Sequence, residues 1–372
     1  MRILLLAGAG SIHSVRWANA FVSLGHEVHL VAVNDHKVKK DKIDESVVIH
    51  YLRFSSPWGY YLNALELYLL CKKIKPDVIN AHYASGYGTL VRMAHIHPYV
   101  LSVWGSDVYD FPFQSKINFR TVQRNLEQAD AIASTSYVMT NQIRKILKTK
   151  NKVIAVTPFG VDIHEFSNEI QPAPKNDNTF LFGTIKKLTY KYGIDYIIKG
   201  FDLFLKEWKK KGSVGKIPHL YICGKGENKE DFEKLRDSLG LGEYIDIEGY
   251  IAHEVVASKF RSFDVSVFGS ELDSESFGVS AVESMACGTP VIATDVDGFT
   301  EVVKNGSTGF IVPRKNAKAI AEKMSELYYN DNMRFDFGRN GRMHVIELYD
   351  WNKNIKELEK VLIDIVSKYN DI

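Results

Sequence analysis

Two carboxylates stand at a fixed spacing in the stretch Glu275-Ser276-Phe277-Gly278-Val279-Ser280-Ala281-Val282-Glu283. Residues 278–286 carry a helical apolar pattern, and Gly288-Thr289-Pro290 ends it before a Val291-Ile292-Ala293 strand. Glu275 is therefore expected in a loop ahead of a helix, with Glu283 about two turns in, a separation of roughly 12 Å. The helix start supplies free backbone N–H groups at Phe277, Gly278 and Val279, and Gly278 lets a ligand come close to the backbone. Such a place suits an anion, a phosphate above all. Acids beside a phosphate cannot hold it, because like charges repel. Their chemistry is to accept hydrogen bonds from sugar hydroxyls.

The chain that must position these groups has 372 residues, enough for two domains of roughly 100–200 residues each. Charged residues are 25 % and apolar residues 45 %, the balance of an ordinary globular protein. A net charge of +2 points to neither nucleic acid nor an acidic partner. Cys71, Cys223 and Cys287 lie in apolar surroundings without metal-ligand spacing, as reduced thiols of a cytoplasmic protein would. No run reaches the ~18 apolar residues that a membrane span needs. The opening MRILLLAGAG reads as a first strand rather than a signal peptide.

Strand, Gly8-Ala9-Gly10 loop, helix to Leu24 and strand 28–33 make a βαβ unit, the start of a parallel α/β sheet. The loop fits G-x-G-x-x-G at Gly8 and Gly10, but the third glycine falls on His13. With Asp35 as ribose-binding acid, a nicotinamide-dependent dehydrogenase stays open as an alternative. Residues 60–73 form a helix with an aromatic and leucine face. Strand 78–82 ends in His82, at the edge where open α/β sheets bind ligands. Strand 99–103 ends in Trp104-Gly105-Ser106-Asp107, which would bring Asp107 to the same edge. Within 137–152 an apolar stripe ends in Arg144, Lys145, Lys148, Lys150 and Lys152. That helix fits either an anionic bilayer or a core whose cationic end complements the helix dipole. Gln171-Pro172-Ala173-Pro174-Lys175 has linker composition, and 180–184 begins a second α/β series.

The Glu275–Glu283 stretch followed by Cys287-Gly288-Thr289-Pro290-Val291-Ile292-Ala293-Thr294-Asp295 resembles the E-x7-E donor signature of family-4 retaining glycosyltransferases. The Gly10-Ser11-Ile12-His13 loop, the Asp77–Tyr83 segment and Pro158-Phe159-Gly160-Val161-Asp162 resemble the same family. The resemblance implies a GT-B fold, two doubly wound Rossmann-like domains facing across a cleft. The expected division is 1–170, joined by the terminal helix 351–372, and 171–350. It implies transfer of a hexose-type sugar from a UDP- or GDP-sugar, with retention and without metal or other cofactor. The acceptor would be a glycan or a lipid-linked molecule of cell-surface polysaccharide or glycoconjugate biosynthesis.

By the same resemblance Glu275 contacts the transferred sugar, Glu283 the ribose, and the amides of Phe277, Gly278 and Val279 the diphosphate. Gly183 and Gly224 fall in the nucleotide site. Family members place an Arg and a Lys on the diphosphate, where this chain has Lys186, Lys187 and Lys191. Lys186 matches by its spacing to Lys191 and Lys187 by the Leu188 that follows, and both stay open. On the acceptor side stand Gly10, Ser11, His13 and Trp104, with His82 and Asp107 expected near the reacting sugar. Trp104 replaces a family His and cannot accept a proton, which leaves it stacking on a sugar face. The departures at Trp104 and the missing Arg keep a non-catalytic nucleotide- or glycan-binding module as an alternative. No nucleic acid is expected as partner. The expected location is the cytoplasm, with helix 137–152 touching the inner face of the membrane.

Overall fold

The computed structural model describes residues 1–38, 43–169 and 176–370. Residues 39–42 of the lysine-rich turn and 171–175 of the proline-containing linker lie outside the described residues. Packing divides the chain into two compact units, Met1–Pro158 with Asn352–Ile372, and Phe159–Trp351. The division comes at Pro158, ahead of the proline-containing linker, because residues 159–169 are tied to the second unit. Val161 N–H donates to Tyr349 O at 2.8 Å, and Arg342 reaches Phe166 O and Ser167 Oγ at 3.0 and 3.1 Å.

The first unit holds β1 (Arg2–Leu6), β2 (Glu27–Val33), β3 (Val48–Leu52), β4 (Val78–His82), β5 (Tyr99–Val103), β6 (Ala131–Ser134) and β7 (Ile154–Val156). They lie in the order β3-β2-β1-β4-β5-β6-β7, all parallel. Parallel strands need crossovers, and burial on both faces fits the apolar run Ile3–Leu6 of β1 and the full burial of β4 and β5. The terminal helix Trp351–Asn370 buries Ile355, Leu358, Leu362 and Ile365, a helical stripe, and Glu359 pairs with His26 at 2.8 Å.

The second unit repeats the topology with β8 (Thr179–Ile185), β9 (Ile217–Cys223), β10 (Ile245–Glu248), β11 (Val265–Phe268), β12 (Val291–Thr294) and β13 (Gly309–Val312). Their order is β10-β9-β8-β11-β12-β13. In each unit the strand order reverses at one place, between β1 and β4 and between β8 and β11. Loops leaving the carboxyl ends of those neighbours diverge and leave a crevice.

A buried amide fixes the crevice side of the first unit. Asn125 Nδ2 donates to Ala84 O at 2.7 Å, Ser85 O at 3.2 Å and Thr89 Oγ1 at 2.9 Å, while its oxygen accepts from Arg92 Nε at 2.6 Å. Asn125 thereby ties the loop after β4 to the helix Lys116–Gln128. Replacing it strands several buried groups at once. Asn125→Leu is expected to lower the unfolding free energy by about 3 kcal/mol, measured by urea unfolding of the full chain.

Candidate active site

At the switch point of the second unit the loops after β8 and β11 are locked backbone to backbone. Gly193 adopts φ 59°, and a Cβ there would fall 1.9 Å from Gly269 O, so only glycine fits. Glu271 N–H donates to Lys191 O at 2.9 Å. Side chains complete the junction. Lys186 Nζ lies 2.6 Å from Glu275 Oε2, with both side chains only 11 % exposed, and Ser270 Oγ donates to the same oxygen at 3.4 Å. Lys191 Nζ donates to Ser274 Oγ at 3.2 Å. Lys186 and Lys191 carry their ammonium groups 5.1 and 5.3 Å from the Tyr192 ring centroid, so two cations share one aromatic ring. Lys187 is exposed. Of the two adjacent lysines, Lys186 is the one turned into the crevice.

The helix beside them is Val279–Ala286. Residues 275–278 are not helical, so Glu283 lies just over one turn in rather than two, 9 % exposed. Gly278 caps the helix with φ 84° and no side-chain acceptor; a Cβ there would meet the Phe299 ring at 2.7 Å. Ala281 and Val282 donate to Gly278 O, which leaves the N–H groups of Val279 and Ser280 without an acceptor in the helix. Phe277 is buried against Phe159 and Tyr349, and anchors the chain just ahead of the cap. Gly224 follows β9 beside the lysine loop, where Lys186 N–H donates to Cys223 O at 2.9 Å. Gly183 lies within β8, where a Cβ would meet the ring of Phe263, so its smallness serves packing there.

The first unit has a cavity of about 700 Å³ at its own switch point, between the loops after β1 and β4. Gly8, Gly10 and Ser11 line it, together with Tyr60, Tyr61, Tyr83, Tyr87 and Phe111. Tyr83 sits at φ 71°, a strained backbone for a bulky residue and a mark of functional loops. Burial pushes the Tyr60 and Tyr83 phenols up to about 12.

Asp107, His82 and Trp104 do not line this cavity. Asp107 is enclosed, and its two oxygens accept the N–H groups of Ala84, Trp104 and Gly105 at 2.7, 3.1 and 2.9 Å. It ties the loops after β4 and β5 together and has no open face for a hydroxyl. Burial raises its pKa. His82 is fully buried, with Nε2–H donating to Asn80 Oδ1 at 3.0 Å, and burial drives its ring down to about 3. Trp104 is packed by His82 at 4.6 Å, His13 at 5.2 Å and Tyr83, stacked at 5.5 Å. Its ring is part of a wall and His13 is its neighbour. Asp35 is engaged by Ser56, whose N–H and O–H donate to it at 2.8 and 2.5 Å. Tyr137–Ile146 buries Met139, Gln142, Ile143 and Ile146, and Lys152 donates to Glu127 O at 2.7 Å. Its apolar stripe belongs to the core and is not free for a bilayer.

Residues 165–344 match the family described as glycosyl transferases group 1, and residues 2–136 match that described as glycosyl transferase 4-like. The chain is a family-4-type glycosyltransferase. It is 25 % identical over 355 residues to the capsular polysaccharide biosynthesis glycosyltransferase CapM of Staphylococcus aureus, covering 90 % of this chain and 89 % of that one. Sucrose-phosphate synthase from Thermosynechococcus elongatus shares its fold, with TM-score 0.81 at 18 % identity over 99 % of this chain and 100 % of that one. The Anabaena protein HepE, solved in complex with UDP-glucose, superposes with TM-score 0.78 at 15 % identity, covering 98 % and 100 %. The two parallel sheets are those of the GT-B fold, and membership of this family displaces the dehydrogenase alternative.

In this glycosyltransferase the residue that sequence reasoning missed is Arg314. It follows β13 and reaches Asp273 at 2.9 Å, Asp295 at 3.1 Å and Glu271 O at 3.2 Å. Lys315 adds a contact to Glu271 at 3.1 Å. Arg314 braces the loop that carries Glu275. The available signal was its place after a strand ending at the same sheet edge. Arg314→Ala is expected to lower Tm by about 4 °C, a loss on the order of 1–2 kcal/mol, read by differential scanning calorimetry. His82 predicts a pH dependence. Its folded pKa lies below the ordinary 6.5, so the unfolded chain takes up the proton first and stability falls as pH drops from 6.5 toward 3. The Tm advantage of the wild type over His82→Gln should shrink across that interval.

Proposed function

We propose that this glycosyltransferase moves a hexose-type sugar from a UDP- or GDP-sugar to a hydroxyl of a glycan or lipid-linked acceptor, with retention and without a metal ion. The observation that carries the reading is the convergence of Lys186 and Lys191 on the Glu275 loop, beside the uncapped first turn of Val279–Ala286. A diphosphate leaving group develops charge as the glycosidic C–O bond breaks. Two ammonium groups and a helix N-terminus fixed beforehand stabilise that charge without reorganising. The nucleotide sugar held by HepE agrees with such a donor. The relative from capsular polysaccharide biosynthesis agrees with a cell-surface glycan product.

In this reading Glu275 accepts hydrogen bonds from the donor sugar and Glu283 takes the ribose, with the amides ahead of and within the first helical turn on the diphosphate. The acceptor hydroxyl oxygen bonds to the anomeric carbon on the face the diphosphate leaves as the bond to diphosphate breaks, and its proton passes to the departing diphosphate. His82 and Asp107, both enclosed, are left out of the proton transfer.

Glu275→Ala is expected to fold like the wild type and lose transfer; near-wild-type transfer would sink the assignment. Lys191→Ala should cut the rate about 100-fold, with Lys186→Ala at least as severe. Glu283→Ala should mainly weaken UDP or GDP binding, read by titration calorimetry. Transfer that survives a chelator checks the metal-free reading.

A further inference from the structure

The helical segment 59–74 leaves its apolar residues on two sides. Leu67, Cys71 and Ile74 face the core of the first unit. The other side carries Trp58 at 72 % exposure, Leu62 at 57 %, Leu65 at 69 % and Leu69 at 58 %, with Tyr61 and Tyr68 beside them. These recur every three or four residues and so make one stripe. The stripe is held rigidly. Asn63 is fully buried at the junction of Gly59–Leu62 and Ala64–Ile74, and exchanges hydrogen bonds with the Phe54 backbone at 2.8 and 3.0 Å.

Charge says what this face meets. Arg53, Lys72, Lys73 and Lys75 border it, while the acids nearby are already engaged. Glu66 accepts the Arg53 N–H at 2.9 Å and Asp77 accepts the Arg2 N–H at 2.6 Å. A hollow of about 430 Å³ at the cationic end is lined by Tyr68, Lys72, Lys75, His95 and His97. Exposed Trp, Tyr and Leu flanked by lysines form the pattern of a surface that lies in a lipid interface, with aromatic rings at headgroup depth and lysines on anionic lipid. The face also runs into the tyrosine-lined cavity, since Pro57 and Tyr61 line that cavity as well.

We propose that the 58–75 face docks this enzyme on an anionic bilayer and opens its acceptor cavity toward the lipid surface. An acceptor carried on a lipid would then pass its sugar end along the stripe into the cavity while its tail stays in the membrane. The docking itself stands on the stripe and its charges; only this last step rests on the sugar-transfer reading above.

The test is co-sedimentation of the full chain, without donor or acceptor, with vesicles of equimolar phosphatidylglycerol and phosphatidylcholine or of phosphatidylcholine alone. The wild type should pellet with the anionic vesicles and not with the neutral ones. Leu65→Asp with Leu69→Asp should lose binding by at least about tenfold per leucine. Lys72→Glu with Lys73→Glu should lose at least on the order of fivefold per lysine. Both pairs are exposed, and unchanged UDP or GDP titration by the variants would verify the fold apart from docking. Failure to pellet with anionic vesicles overturns the proposal, as does full binding by the leucine variant. Self-association that the leucine variant abolishes, with no vesicle binding, also overturns it and assigns the face to a second copy. Wild-type pelleting without any nucleotide binding would leave the docking intact and count against the proposed function alone.

Discussion

A parallel sheet buried on both faces by helices has little left for chemistry except its edges, and that constraint governs this protein twice. Every strand of both sheets is parallel, so each must be followed by a crossover, and each crossover starts from the carboxyl edge. Where the order reverses, between β1 and β4 or β8 and β11, departing loops separate and leave room. Lys186, Lys191 and the Glu275 loop occupy one of these places. The tyrosine-lined cavity occupies the other. The tight backbone contact of Gly193 with Gly269 then turns the available room into a shaped site.

Much of this was legible in the sequence, for physical reasons. Apolar runs such as Ile3–Leu6 are short enough to suit a buried strand rather than a helix, and the Gly8-Ala9-Gly10 loop that follows marks the turn at the edge. The Glu275–Glu283 spacing announced a helix start between two acids. What could not be read was side-chain direction in loops. Lys186 and Lys187 have the same chemistry one residue apart, and the pairing of Lys186 N–H with Cys223 O helps set which of them turns inward. Arg314 was hidden by distance along the chain, since its partners Asp273 and Asp295 lie in two earlier loops.

Asp107, His82 and the helix Tyr137–Ile146 each carry residue types that serve either a site or the interior, and local sequence does not tell which side of the edge they face. Asp107 closes a backbone turn on itself and reaches across to Ala84, a task that consumes both oxygens. The amphipathic helix 137–146 and the stripe 58–69 look alike in pattern. One buries its apolar side and the other leaves a second side in the open, a difference made by which neighbours the fold puts against them.

The Lys186–Glu275 contact sets opposite charges against each other within the crevice. Folding has already stripped both groups of most of their water, so that desolvation is incurred before any ligand arrives. A small anion such as free phosphate would have to draw Lys186 away from Glu275 and leave that carboxylate with only the weak donor at Ser270. A molecule that brings an anion and a hydroxyl on one frame can satisfy both partners at once. In the proposed reading the ion pair would act as a filter, turning a place that would attract any anion into one that rewards a particular combination of groups.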